Sequence, residues 1–278
     1  MLRGFYTAAS GMIAEQRRTE MLSNNIANVN TPGYKADQSA MRAFPEMLPN
    51  RMENHSAPTS SNISFGIQTP IGSINTGAYI QEAMPLFEQG EISETGLASD
   101  MALVEQSVPQ NAKSGLKGFL MFGVQASDGK TKYTRNGHFT LNSSNQLTSL
   151  GNPVLSTTGQ PITVAGEDYK ITPEGNVMVN GQNVAQIDVR LAGDVKNLVK
   201  EGNGLFRTVD NSNLPSAVGN GQIQYALKQG YVERSNVDPA RSYTDMMTAY
   251  RSFEANQKVL QAYDRSMDKA ANEIGRIR

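Results

Sequence analysis

Residues 238–277 read DPARSYTDMMTAYRSFEANQKVLQAYDRSMDKAANEIGRI. Asp238 suits a helix N-cap, and Pro239 suits the first helical position, where a missing N–H costs nothing. No proline follows, and glycine enters only at Gly275. Met246, Phe253, Leu260, Met267 and Ile274 recur every seven residues. Tyr243 and Tyr250 stand just ahead of the first two, and Tyr263, Ala270 and Ile277 drift beside the later ones. The spacing predicts one helix of nearly forty residues, roughly 57 Å long at 1.5 Å per residue. A capped, periodic segment of that length fits a coiled coil better than a globular core helix.

The opposite end of the chain carries a second stripe. Between Leu2 and Asn28, and just beyond, Phe5, Ala8, Ala9, Met12, Leu22, Ile26 and Val29 fall on one helical face. The polar run Glu15–Glu20 interrupts it. Pro32 disfavours a helical Thr31, and Pro32-Gly33 fills the two central places of a type II turn. Neither terminal stripe has a neighbouring helix in sequence, so each is the other's expected partner. Such a pair still leaves apolar surface open for contacts with other subunits.

Between the ends the pattern changes twice. Residues 36–78 are rich in Ser, Asn, Thr, Gly and Pro and read as an extended connector, with room for a short strand or two near residues 63–74. From Tyr79 to Tyr231 the period becomes two. Turn signals occur at Ser143–Asn145, Gly151–Pro153, Thr158-Gly159, Pro173–Asn176 and Asn180-Gly181, roughly every ten residues, as in an all-β sandwich or barrel-like domain. Asn136-Gly137, between Tyr133 and Phe139, predicts a type I′ hairpin. The expected class is therefore α+β, mainly β: long N- and C-terminal helices forming a coiled-coil pair, with an inserted all-β domain. The boundaries are 1–35 for the N-terminal helix, 36–78 for the connector, 79–231 for the β-rich domain and 232–278 for the C-terminal helix.

Composition excludes several functions. The 278 residues carry 25 Lys and Arg against 26 Asp and Glu, a net charge of -1. A dedicated nucleic-acid binder would show a basic surplus. With no cysteine there is no disulfide, thiol nucleophile or iron–sulfur cluster. No run of apolar residues is long enough to span a bilayer, so no membrane insertion is expected. Phe5–Ala14 follows Arg3 but holds Thr7, Ser10 and Gly11 and runs into EQRR, which does not make a cleavable signal. His55 and His138 are the only histidines and lack companions at metal-ligand spacing. No G-x-S-x-G elbow or phosphate-binding loop organises the remaining polar residues. Catalytic, cofactor and metal residues are accordingly expected to be none.

The stretch AASGMIAEQRRTEMLSNNIANVNTPGYK, Ala8 to Lys35, resembles the N-terminal signature of the bacterial flagellar rod and hook axial proteins, most strongly from Ser23 onward. YVERSNVDPARSYTDMMTAYRSFEANQKVLQAYDRSM, Tyr231 to Met267, is similar to the matching C-terminal signature. YTRNGHF at Tyr133–Phe139 and GNGLF at Gly202–Phe206 resemble further family segments. By length the chain is most like the distal rod member or a rod paralogue. It departs from the family's DxALxGxGFF pattern by an apparent insertion between Leu103 and Gly118.

The resemblance implies a structural subunit of the flagellar basal body, exported by the flagellar type III apparatus without a cleaved signal. Its partners would be further copies in a helical tube and the other rod and hook subunits. Its terminal helices would form the inner coiled-coil layer. On that basis the assembly interface comprises Phe5, Met12, Leu22, Asn24, Asn25, Ile26, Asn28, Asn30, Tyr250, Phe253, Leu260, Met267 and Ile274. Phe44 and Leu48 resemble a short export-gate element. The competing reading is a secreted β-domain binding or hydrolytic module that its helices merely oligomerise.

Overall fold

The computed structural model describes residues 2–47, 50–56, 64–70, 73, 75–111, 115–164, 166 and 169–274. The chain divides into two compact units. One, the helical unit, comprises Met1–Asn24, Asp37–Met84 and Ala240–Arg278. The other, the β unit, comprises Asn25–Ala36 and Pro85–Pro239. The architecture is mainly β, with a helix at each end of the chain.

Helix α1 spans Leu2–Ala27 and helix α2 spans Pro239–Lys269, which a π-helical turn, Ala270–Ile274, continues. Within the helical unit the two meet antiparallel. The Tyr263 ring tip fills the space beside Gly4, Asn256 fills the space beside Gly11, and Arg18 lies 4.0 Å from Asp245. On α2 the recessed positions are Ser242, Met246, Ala249, Phe253, Asn256, Leu260 and Tyr263, with Asp245 and Ser252 beside them. The main row steps alternately by four and three. On α1 the same rhythm runs through Gly4, Ala8, Gly11, Glu15, Arg18 and Leu22. Small residues of α1 thus stand opposite long side chains of α2, so contact is made by the tips of α2 side chains.

Helix α1 also faces the chain around residue 77. The Thr7 hydroxyl donates to the Thr76 carbonyl at 3.1 Å, and Ser10 Oγ accepts from the Ala78 amide at 3.4 Å. Strands Asp37–Ala43 and Ala78–Pro85 pair into a two-stranded ribbon, and Asn50–Ser56 pairs antiparallel with Ser64–Pro70. Strand Asp37–Ala43 and the ribbon of Asn50–Ser56 with Ser64–Pro70 fall in the composition-biased stretch after α1, and Ala78–Pro85 runs on from its end.

The β unit is built of five antiparallel sheets among the described residues. The largest has the order Val189–Ala192, Phe119–Gln125, Thr131–Thr134, Leu205–Thr208, Leu198–Lys200. Its strand Phe119–Gln125 is buried on both faces. Leu120, Phe122 and Val124 join the main core with Phe139, Leu147, Val154, Ile187 and Val189, whereas Phe119 and Met121 join Tyr133, Ala192, Leu198 and Phe206. Burial on both sides explains why FLMFGVQ reads as a continuous apolar run rather than an alternation.

Asn180-Gly181 makes the type I′ hairpin its sequence calls for. Both residues have positive φ, 51° and 79°, and they join Asn176–Val179 to Gln182–Gln186. Asn136-Gly137 does not, and that expectation is corrected. Thr131–Thr134 pairs with Phe119–Gln125 and Leu205–Thr208, while Phe139–Leu141 pairs with Leu147–Ser149. The segment 135–138 crosses from one sheet to another, and neither Asn136 nor Gly137 has positive φ. Gly137 is required for a different reason. A Cβ there would sit 1.7 Å from the Met101 carbonyl oxygen, and the Met101 amide donates to the Gly137 carbonyl at 2.9 Å.

Gly137→Ala is compatible with the backbone angles but not with Met101, so it should cost about 1–3 kcal/mol as an overpacking substitution. A urea melt of the variant against the parent measures this; an unchanged midpoint would show that the Met101 strand yields freely.

Candidate assembly surfaces and a buried charge cluster

Lys35, Arg135 and Glu233 come from sequence segments far apart, yet their side chains meet with essentially no solvent exposure. Lys35 Nζ donates to Glu233 Oε1, and it also donates to the Glu88 carbonyl at 2.6 Å. Arg135 Nε donates to Glu233 Oε2 at 2.6 Å. Arg135 Nη1 reaches Glu105 Oε1 at 3.1 Å, and Nη2 reaches the Leu103 carbonyl at 2.8 Å. Both cations lie over the Phe119 ring, 4.9 and 4.6 Å from its centroid. The Gly90 amide adds a hydrogen bond to Glu233 Oε1 at 2.9 Å. Burial pushes the Glu233 carboxyl up, but Arg135 and Lys35 together outweigh it and hold the group below the usual carboxylate range.

The backbone around the cluster is wired to it. The type II turn at Pro32-Gly33 is present: Gly33 has φ 69°, and the Tyr34 amide donates to the Thr31 carbonyl at 3.3 Å. Gly33 is pressed against the Arg135 carbonyl, where a Cβ would approach to 2.5 Å, and its amide donates to the Glu233 carbonyl at 2.7 Å. Asn236 closes the ring: its Oδ1 accepts from the Ala36 amide at 2.7 Å, and its Nδ2 donates to the Leu86 carbonyl at 2.9 Å. Sequence reasoning missed these charges. The available signal was a single charged residue standing inside each of the segments TPGYK and YTRNG, and the adjacent Glu233 and Arg234 inside YVERSN.

The expected interface residues are placed as follows. Leu22 is buried; Phe5, Met12, Ile26, Phe253 and Leu260 are half-buried; Asn24, Asn30, Tyr250 and Met267 are exposed. Asn25 is buried and its Oδ1 accepts from the Tyr34 hydroxyl at 3.3 Å; Asn28 Oδ1 accepts from the Thr31 hydroxyl at 3.2 Å. Ile274 ends the described helix, and its side chain lies outside the described residues, as does Leu48. Phe44 is exposed, with its ring 5.3 Å from that of Tyr79. Glu15, in the recessed row of α1, has one carboxylate oxygen buried without a hydrogen-bond partner; burial pushes this carboxyl up against the pull of Arg18.

Little here suggests catalysis. His138 Nδ1 lies 2.7 Å from the buried Asp100 carboxylate. A shallow groove near Thr131 and Thr208 holds Lys132 and Arg207, both already paired to Glu201 at 2.8 and 2.9 Å. Among the described residues no group of three or more His, Asp or Glu could hold a metal ion, and no helix is long and apolar enough to cross a membrane.

Comparison with known proteins gives three family matches. The model described as "Flagella basal body rod protein" matches residues 5–35, "Flagellar hook protein FlgE/F/G D1 domain" matches 116–196, and "Flagellar basal body rod FlgEFG protein C-terminal" matches 228–273. Each matched segment supplies one member of the cluster: Lys35, Arg135 and Glu233 in turn. The chain is 56% identical to the flagellar hook-basal body complex protein FlhO of Bacillus subtilis, over 100% of both chains. It is 31% identical to the basal-body rod protein FlgG of Agrobacterium fabrum, over 95% of this chain and 96% of that one. It is 29% identical to the rod protein FlgF of Salmonella typhimurium, over 97% of each.

Glu233→Gln leaves two buried cations without their shared counter-ion and should cost about 3–5 kcal/mol at neutral pH. A carboxyl held below its usual range contributes stability that is present above its unfolded pKa and lost as pH falls through the folded value. The parent should therefore lose stability on acidification below the ordinary carboxylate range, and the variant should lose that component of the slope. Urea midpoints measured from neutral pH down to acid test both statements.

Proposed function

The chain belongs to the family of flagellar basal-body rod and hook proteins and is a structural subunit of the basal-body rod; on that premise we propose that its copies polymerise into a helical, torque-transmitting tube that drives motility. The observation that carries this reading is the exposure of the helical unit. On α2, Tyr243, Met247 and Tyr250 step by four and three along one face, each half exposed or more. On α1, Tyr6 and Ile13 stand seven apart and are as open. Exposed apolar stripes of this kind mark interaction surfaces, and aromatic and methionine side chains are enriched at interface cores.

Helix α2 therefore offers two rows. In this reading the recessed row pairs with α1 as a coiled coil, for which the four-three spacing is the support. The exposed row, one position further round, meets a neighbouring subunit. Head-to-tail contacts that do not close a ring generate a helical array. Phe5, Met12, Tyr250 and Met267 belong to the contacts between subunits, with Asn24 and Asn30 as a polar rim. Leu22, Phe253 and Leu260 hold the helix pair together, and Asn25 and Asn28 fix the end of α1. The proposed partners are further copies of the chain and the other rod and hook subunits.

The subunit reaches the basal body through the flagellar type III apparatus, and Phe44 with Leu48 forms the export-gate element. The chain works without catalysis or a cofactor. Its relatives are named as structural parts of the flagellum.

Tyr250 is exposed in the single subunit, so a charge there leaves folding within about 0.5 kcal/mol of the parent. Tyr250→Asp, placed in the chromosomal gene, should abolish swimming and remove the chain from purified basal bodies while the purified subunit melts as before. Normal swimming with that charge in place would overturn the reading.

A further inference from the structure

Sulfur is unevenly placed in this chain. There is no cysteine, so thioethers are its only sulfur, and ten of the thirteen methionines fall within the helical unit. Met41, Met47, Met84, Met247 and Met267 are 46, 59, 56, 50 and 39% exposed. In the β unit Met101 and Met121 are 1 and 0% exposed. Methionine as a filler of irregular gaps belongs in a core. Here the main core is built mostly of Val, Leu, Ile and Phe, and the open thioethers lie elsewhere. Met247 sits between Tyr243 and Tyr250 on the exposed row of α2. Met41 and Met84 sit on the two strands of the ribbon that also bears the exposed Tyr79.

We propose that Met41, Met47, Met84, Met247 and Met267 are oxidation sites through which peroxide stops the free subunit from docking on a second copy. The reaction is a two-electron oxygen transfer from hydrogen peroxide. The thioether sulfur attacks one peroxide oxygen, the S–O bond forms as the O–O bond breaks, and the departing hydroxide takes the proton of the sulfur-bound hydroxyl and leaves as water. Sulfur is oxidised and peroxide reduced, with no further reagent. The product is a polar, chiral sulfoxide, which a sulfoxide reductase can return to the thioether.

A sulfoxide oxygen pressed against an apolar partner surface is a strong acceptor buried without a donor, which opposes association. Met101 and Met121 are sealed in the β unit and stay unoxidised through the same treatment, whereas Met178 there is half-buried. Docking and oxidation exclude each other, because a thioether covered by a neighbouring copy no longer meets the oxidant. This inference rests on the reading that the helical unit docks on further copies.

Exposure of the full chain to hydrogen peroxide, followed by peptide mass spectrometry, should show the five open methionines gaining oxygen at least tenfold faster than Met101 and Met121. A gene-replacement strain with all five changed to Gln, as a polar mimic of the sulfoxide, completes the test. The Gln chain should fall at least tenfold in purified basal bodies while melting normally in solution. Equal oxidation rates at all seven methionines, or a Gln chain that assembles like the parent, would overturn the proposal. A strain deleted for the gene that swims normally would instead overturn the rod reading on which the inference rests.

Discussion

Lys35, Arg135 and Glu233 occupy one dry volume beneath Phe119, although 198 residues of chain separate the first from the last. Moving three charges out of water is costly, and their attraction offsets that cost only when the geometry is good and the remaining hydrogen-bonding atoms are satisfied. Both conditions are met: the guanidinium and ammonium groups reach backbone carbonyls at Leu103 and Glu88, and the carboxylate receives the Gly90 amide. A hydrophobic trio of similar volume could supply comparable stability. What a charged trio adds is intolerance of misplacement, because any register that separates one member strands the others in an apolar setting. The turn at Gly33, the strand pairing at Tyr231–Glu233 and the bridging amide of Asn236 all depend on that single arrangement.

The two units stabilise themselves by different means. In the β unit, Phe119–Gln125 is covered on both faces, and the short sheets around it need no partner to bury their apolar side chains. The helical unit retains large apolar side chains in the open along α1, α2 and the ribbon strands. A two-stranded ribbon alone is marginal in water, and the stability of a helix comes mostly from packing one face. The β unit has the character of a finished domain, whereas the helical unit has the character of one side of an interface.

Local rules made part of this structure legible. The seven-residue recurrence from Met246 to Leu260 marks the recessed row of α2, and Pro32-Gly33 marks the end of α1, because both signals lie within a few bonds of what they determine. Asn180-Gly181 gave its hairpin for the same reason. Asn136-Gly137 carries the same dipeptide signal but sits beside Arg135, whose burial draws the chain across to another sheet. There the non-local pairing overrode the turn preference. The charge cluster was invisible for a related reason. Nothing in YVERSN says that its Glu will meet a Lys 198 residues earlier, and the neighbouring Arg234 offers a nearer partner in sequence.

The hydrogen bond from Gly33 to the Glu233 carbonyl also fixes how the β unit can change over evolutionary time. The Leu86 amide donates to the Ala36 carbonyl at 2.8 Å, and Asn236 donates to the Leu86 carbonyl, so the stretch from Leu86 to Asn236 is a loop closed at its neck. A module joined through such a neck can lengthen, shrink or be exchanged for another without moving the terminal segments on either side. A lineage can thereby diversify the β-rich stretch while the residues on either side of it stay constant.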